Sequence, residues 1–134
     1  MNLQTTKKIT EGIHGWLTEK EGKFLYECAK QCTGKGVIVE IGSWQGKSTV
    51  FLGAGSVAGN KVPVYAVDPH TGLPGWNDLR TFPIFEKNIA RAELSSIVRP
   101  LVMTSAKAAK NFDLPIELLF IDGDHDRGMV ELDY

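Results

Sequence analysis

The sequence predicts a doubly wound α/β fold built on a parallel sheet, and three observations predict it. Short apolar, β-branched runs alternate with stretches of helical periodicity. The last run, Leu118-Leu119-Phe120-Ile121, is apolar at successive positions, as a strand covered on both faces requires. Polar, chemistry-bearing residues gather just after each run, where such sheets open their ligand crevice at the strands' carboxyl ends. Crossovers between parallel strands are right-handed, so few topologies remain.

Each element has its own signal. Thr18-Glu-Lys-Glu21 reads as a capping box, and Phe24, Leu25, Cys28, Ala29 and Cys32 then recur at helical spacing until Gly34 and Gly36 end the helix. Residues 37–41 are short, apolar and β-branched, a first strand, and residues 48–52 after the following loop suit a helix start. A second strand is predicted over 62–67, between the turn-forming Gly59-Asn60 and Asp68-Pro69. The stretch HTGLPGWNDLR is a loop by composition. A helix resumes over 81–94, with Pro83 tolerated in its first turn and Phe82, Phe85 and Ile89 on one face. A third strand spans 98–103; Pro100 cannot donate a ladder hydrogen bond, which places this strand at a sheet edge. A short helix over 105–111 leads to the fourth strand, 116–121.

The 134 residues, 43% of them hydrophobic, suffice for one domain with a core. A net charge of -1 without a Lys/Arg cluster argues against a nucleic-acid backbone as docking partner, since that needs a basic face, and none is expected. No run approaches the ~20 apolar residues of a membrane span, and MNLQTTKKITEGI has no signal-peptide core, so a cytoplasmic protein without a membrane partner is expected. Cys28 and Cys32, four apart, match neither a redox pair nor a zinc knuckle and read as reduced thiols on one helix face.

The stretch VEIGSWQGKSTV carries the first chemistry. Its Gly46-Lys47-Ser48 ending resembles a phosphate loop, but only three residues separate Gly42 from Gly46, and Ile41 stands where the missing glycine belongs. The dinucleotide pattern fails too, because Ser43 and Ile41 occupy its other glycine positions. What remains is Glu40-x-Gly42-x-x-x-Gly46, with Asp68 following 22 residues past Gly46 at the tip of the second strand. A carboxylate there can accept both hydrogen bonds of a ribose diol, and the glycines let a ligand approach the backbone. Glu40 puts negative charge beside the loop, which repels a triphosphate and suits an ammonium. S-adenosylmethionine, a ribonucleoside joined to an amino acid, has both features.

At these residues a family resemblance appears. VEIGSWQGKSTVFL, VYAVDPH, TFPIFEKNIARAEL and ELLFIDGDHDRGMVELDY together resemble the class I S-adenosylmethionine-dependent methyltransferases, a Rossmann-like fold. The resemblance is strongest to the branch of sugar and macrolide O-methyltransferases and cephalosporin-hydroxylase-like proteins. It implies O-methylation of a small-molecule hydroxyl, on a sugar or natural product. It further implies that Gly42, Ser43, Trp44, Gly46 and Ser48 line the methionine part with Glu40 near its ammonium, that Asp68, with Pro69 and His70, holds the ribose, and that Ser105 meets the adenine. Asp122 would ligate Mg²⁺ and adjoin the cofactor, and His125 would be the general base.

Each residue also has a plainer reading. Asp122 to Asp124 can be a solvated turn, His125 a surface cap, Asp68 a strand-ending residue, and Trp44 and Trp76 mere packing; His14 and His70 stay open. A non-catalytic adenosine-binding scaffold, or a nucleotide or nicotinamide enzyme, competes with the methyltransferase reading. The resemblance implies strand order 3-2-1-4-5-7-6, of which only the first four strands are present here, so the chain reads as the cofactor-binding, N-terminal part of one truncated domain. The fourth strand would then be a bare edge, and a homo-oligomer is expected.

Overall fold

The computed structural model describes residues 1–70 and 81–121. Among these residues five helices and four strands follow in the order α1 (Leu3–Glu11), α2 (Glu19–Gln31), β1 (Val37–Ile41), α3 (Lys47–Ala58), β2 (Val64–Val67), α4 (Thr81–Arg91), β3 (Val98–Leu101), α5 (Ser105–Asn111) and β4 (Ile116–Ile121). The strands form one parallel sheet in the order β3-β2-β1-β4, as expected. Pro100 does lie on an edge strand, opposite Ala66. No helix among the described residues is long and apolar enough to cross a membrane.

Several boundaries are shorter than the sequence predicts. β2 starts at Val64, because Val62 and Pro63 turn into the strand: the Val62 carbonyl accepts the Ser56 hydroxyl, and that of Pro63 accepts the Ile38 N–H at 3.0 Å. β3 ends at Leu101 rather than 103, and α4 at Arg91 rather than 94, where Glu93 adopts a left-handed φ of 58°. The capping box at Thr18 is present in full, Thr18 N–H donating to Glu21 at 3.0 Å and Glu21 N–H to the Thr18 hydroxyl at 3.1 Å. One helix, α1, was not predicted; Asn2 caps it, accepting the Thr5 N–H at 2.8 Å.

The larger core lies on the sheet face covered by α3, where Ile38, Val50, Leu52, Val64, Phe85 and Leu94 are buried. α3 is buried on nearly every side, consistent with its uninterrupted run of small and apolar residues. Glycines let α2 come against it: a Cβ on Gly55 would lie 2.2 Å from the Tyr26 carbonyl oxygen, and one on Gly59 2.2 Å from that of Lys30. The opposite face carries a smaller cluster around Val39, Val67 and Ala108 beneath α5. Beside this cluster lies an apolar cavity of about 460 Å³, lined by residues of α5, β4, β1 and β2. β4 is less covered than its composition predicts, because the described residues give it a neighbour on one side only and Ile116 is 47% exposed. Cys28 and Cys32 are free thiols, as expected.

Candidate functional site

The carboxyl ends of β1 and β2 meet at Asp68. The Asp68 N–H is held by the Leu101 carbonyl of β3 at 3.1 Å, which fixes the residue at the strand tip. Its side chain links two loops: Trp44 N–H donates to Oδ2 at 2.9 Å and His70 N–H to Oδ1 at 2.8 Å. Both donors are non-glycine residues with left-handed backbones, φ 46° at Trp44 and 55° at His70. Such a backbone is uncommon for bulky side chains and is held only where surroundings over-determine it. The half-buried carboxylate is thus oriented from behind, and each oxygen keeps acceptor capacity for a pair of hydroxyls in front.

The loop after β1 is built for close approach. Gly42 and Gly46 have φ 94° and 96°, where a side chain would be strained. Gly42 N–H donates to the Val67 carbonyl at 2.7 Å and Gly46 N–H to the Ser43 carbonyl at 2.8 Å, so the loop is drawn toward β2 and closed on itself. Asn88 of α4 donates to the Gln45 carbonyl at 2.8 Å. Within this loop the Ser43 hydroxyl is buried and has no hydrogen-bond partner among the described residues. A buried polar atom left this way is costly unless something else supplies its bond. Gly46 also starts α3 without a side-chain cap, so the helix presents bare N–H groups beside the loop.

Glu40 is placed differently from a ligand carboxylate open to the crevice. It is fully buried and accepts the hydroxyls of both Ser48 and Thr49 in the first turn of α3. Its carboxyl group therefore sits at the positive end of a helix and ties that helix to β1. The signal was in the sequence: an acid at a strand end followed eight and nine residues later by two hydroxyls at a helix start.

His70 is buried behind Asp68, its Nδ1 3.3 Å from the Thr81 hydroxyl and its ring against Phe82 and Phe85. Burial pushes its pKa below the ordinary value, with the Asp68 charge opposing. The structure thus brings together Glu40, Gly42, Ser43, Trp44, Gly46, Ser48, Asp68, Pro69 and His70. Ser105 stands apart at the start of α5, on the rim of the cavity that also meets Ile41 and Val67. Asp122, His125 and Trp76 lie outside the described residues. No group of three metal-ligating side chains occurs among the described ones. Sequence reasoning passed over Trp16, whose ring stacks on Trp44 at 5.8 Å between centroids.

Comparison with known proteins agrees with this fold. The chain superposes on cofactor-bound Rv0187 from MTB with a TM-score of 0.68 at 21% identity, covering 97% of this chain and 56% of that one. An O-methyltransferase from Bacillus cereus in complex with SAH gives 0.62 at 21%, covering 91% and 54%. The O-methyltransferase TomG from Streptomyces achromogenes, involved in tomaymycin synthesis and in complex with SAM, gives 0.63 at 16%, covering 90% and 52%. At such identities these likenesses show the shared fold, and the chain spans little more than half the length of each. The family described as "Methyltransferase domain" matches residues 39–134, which include the glycine loop, Asp68 and most of the sheet, and the chain belongs to that family.

Proposed function

We propose that the chain binds S-adenosylmethionine at the β1 and β2 tips and serves O-methylation of a small-molecule hydroxyl, on a sugar or natural product. The observation that carries the reading is Asp68, a strand-tip carboxylate with each oxygen held by one backbone N–H and its remaining lone pairs available for a ribose diol. The unpartnered Ser43 hydroxyl and the uncapped start of α3 would receive the carboxylate end of the same ligand. Ser105 and the mouth of the apolar cavity would receive the adenine. Support comes from the family match and from the SAM and SAH bound in two structural neighbours.

Bound there, S-adenosylmethionine supplies an electrophilic methyl group for in-line displacement. The chain's own task is positioning: Asp68 fixes the ribose, and Glu40, by fastening α3 to β1, fixes the loop that holds the amino-acid end. His125 is proposed to take the acceptor proton, and Asp122 to carry the divalent ion if the reaction uses one.

Isothermal calorimetry with S-adenosylmethionine and S-adenosylhomocysteine tests the reading. Asp68→Ala should weaken binding by roughly ten- to hundredfold, the worth of hydrogen bonds to a charged acceptor. Asp68→Asn keeps one acceptor oxygen and should also weaken binding, since one loop N–H and one ribose hydroxyl lose their acceptor. No heat of binding for either compound in the wild-type chain, or equal affinity in Asp68→Ala, would refute the assignment.

A further inference from the structure

α4 buries four side chains, Thr81, Phe85, Asn88 and Ile89, and two of them are polar. Each polar one reaches a different loop of the site. Asn88 donates its side-chain amide to the Gln45 carbonyl at 2.8 Å. The N–H of the same peptide unit, carried by Gly46, donates to the Ser43 carbonyl at 2.8 Å, so this peptide is gripped from both ends and the turn around the buried Ser43 hydroxyl is set. Seven residues earlier, on the same helix face, the Thr81 hydroxyl lies 3.3 Å from the His70 carbonyl, to which it donates, and 3.3 Å from His70 Nδ1. His70 in turn gives its N–H to Asp68 Oδ1 at 2.8 Å. Phe85 stands between the two: its ring centroid is 5.5 Å from that of His70, and a Cβ on Gly46 would lie 3.1 Å from its ring. One helix face thus holds the β1 loop and the β2 loop through two separate sets of hydrogen bonds.

We infer that α4 positions the two halves of the ligand separately, Asn88 setting the β1 loop for the amino-acid end and Thr81, acting through His70, setting Asp68 for the ribose. The inference rests on the cofactor reading above, which places those two ends. Asn88 and Thr81 are positioning residues, because each acts through the loop it holds. A loop that loses its anchor must be ordered by the ligand instead, and that ordering is subtracted from binding. Trp44, whose N–H goes to Asp68, lies ahead of the Gln45 carbonyl, so the ribose side of the β1 loop keeps its own anchor when the Asn88 bond is lost.

S-adenosylhomocysteine carries both ends, and 5′-methylthioadenosine carries the ribose end without the amino acid. Dissociation constants for both are measured by titration in proton–nitrogen correlation spectra, which follow weak binding as well as tight. Asn88→Leu and Asn88→Ser, paired so that a folding defect in one does not decide the result, should weaken S-adenosylhomocysteine about threefold to tenfold, the fold-change of one neutral hydrogen bond, and 5′-methylthioadenosine by less than about twofold. Thr81→Val should weaken both compounds by about threefold to tenfold, and Thr81→Ser, which keeps the hydroxyl, should match the wild type. A merely structural role for Asn88 would lower both affinities together or neither. The inference is overturned, with the cofactor reading left in place, by any of three results. One is equal loss of both compounds, or no loss of S-adenosylhomocysteine, in the Asn88 variants. Another is a Thr81→Val chain that holds 5′-methylthioadenosine as well as the wild type does. The third is no saturable binding of 5′-methylthioadenosine to a wild-type chain that binds S-adenosylhomocysteine. A wild-type chain that does not bind S-adenosylhomocysteine refutes the cofactor reading, and this inference falls with it.

Discussion

Glu117, near the start of β4, fastens the turn between α2 and β1. Its carboxylate accepts the N–H groups of Thr33 at 2.7 Å and Gly34 at 3.0 Å and the Thr33 hydroxyl at 3.1 Å. The Thr33 N–H leads in holding its pKa below the ordinary 4.5, with the N–H of Gly34, the Thr33 hydroxyl and the N–H of Gly36 adding and desolvation opposing. The unfolded chain therefore binds this proton more readily than the folded one. Stability from this clasp is complete above the ordinary glutamate value and is lost as pH falls through the lowered one. Glu117→Gln should flatten the acid side of the melting-temperature profile while changing it little near neutral pH, and an unchanged acid limb would refute the clasp. His70 follows the same sign nearer neutrality: with its pKa lowered chiefly by burial, stability should decline as pH falls below about 6.5. His70→Asn should remove that decline, which thermal melts at several pH values measure. At this scale the sequence was half legible. Asp68 could be singled out because a strand tip exposes its side chain to a crevice. Glu40 reads as a ligand carboxylate although Ser48 and Thr49 stand in the sequence eight and nine residues on, because hydroxyls at that spacing become partners only where the loop folds the start of α3 back over the strand.

Glycines at the contact between α2 and α3 do what side chains do elsewhere: they set how closely the two helices approach. At Gly55 an added Cβ meets backbone, the Tyr26 carbonyl, which cannot swing aside. At Gly53 it meets the Leu94 side-chain end at 3.0 Å, which can. Gly55→Ala should therefore destabilise by about 1–3 kcal/mol despite its gain in helix propensity. Gly53→Ala should cost far less or stabilise. Urea midpoints for the two variants check the contrast, and equal midpoints would show that the backbone approach does not limit packing. The strands and α2 were legible at this scale because caps and β-branched runs are local signals. α1 was not, for a physical reason. Its fully buried residues are Thr6 and Thr10, whose hydroxyls bond back to the carbonyls of Asn2 and Thr6 at 2.7 and 2.9 Å, so polar side chains interrupt the inward face between Leu3 and Ile9 and blur its apolar stripe.

The two edges of the sheet are treated unequally. β3 carries Pro100, and its Arg99 is engaged with Tyr65 by a hydrogen bond of 3.2 Å and a cation over the ring, devices that discourage further strand pairing. β4 has no proline, and the carboxylate of its Glu117 is turned to the α2–β1 turn. Among the described residues β4 pairs with β1 alone, Ile116 is half exposed, and the apolar cavity opens beside Leu119 and Ile116. Each apolar side chain left uncovered forgoes ~1.5–3 kcal/mol, against a typical domain stability of about 5–15 kcal/mol. A second copy of the chain pairing β4 to β4 would satisfy the edge and cover those residues. The 134-residue chain is therefore predicted to self-associate, with a sedimentation coefficient that rises with concentration over about a hundredfold range. Ile116→Lys puts a charge on that edge and should return the chain toward monomer. A single monomeric species at every concentration would show that the edge is covered by the chain itself, and Ile116→Lys would then lower the melting temperature rather than the mass.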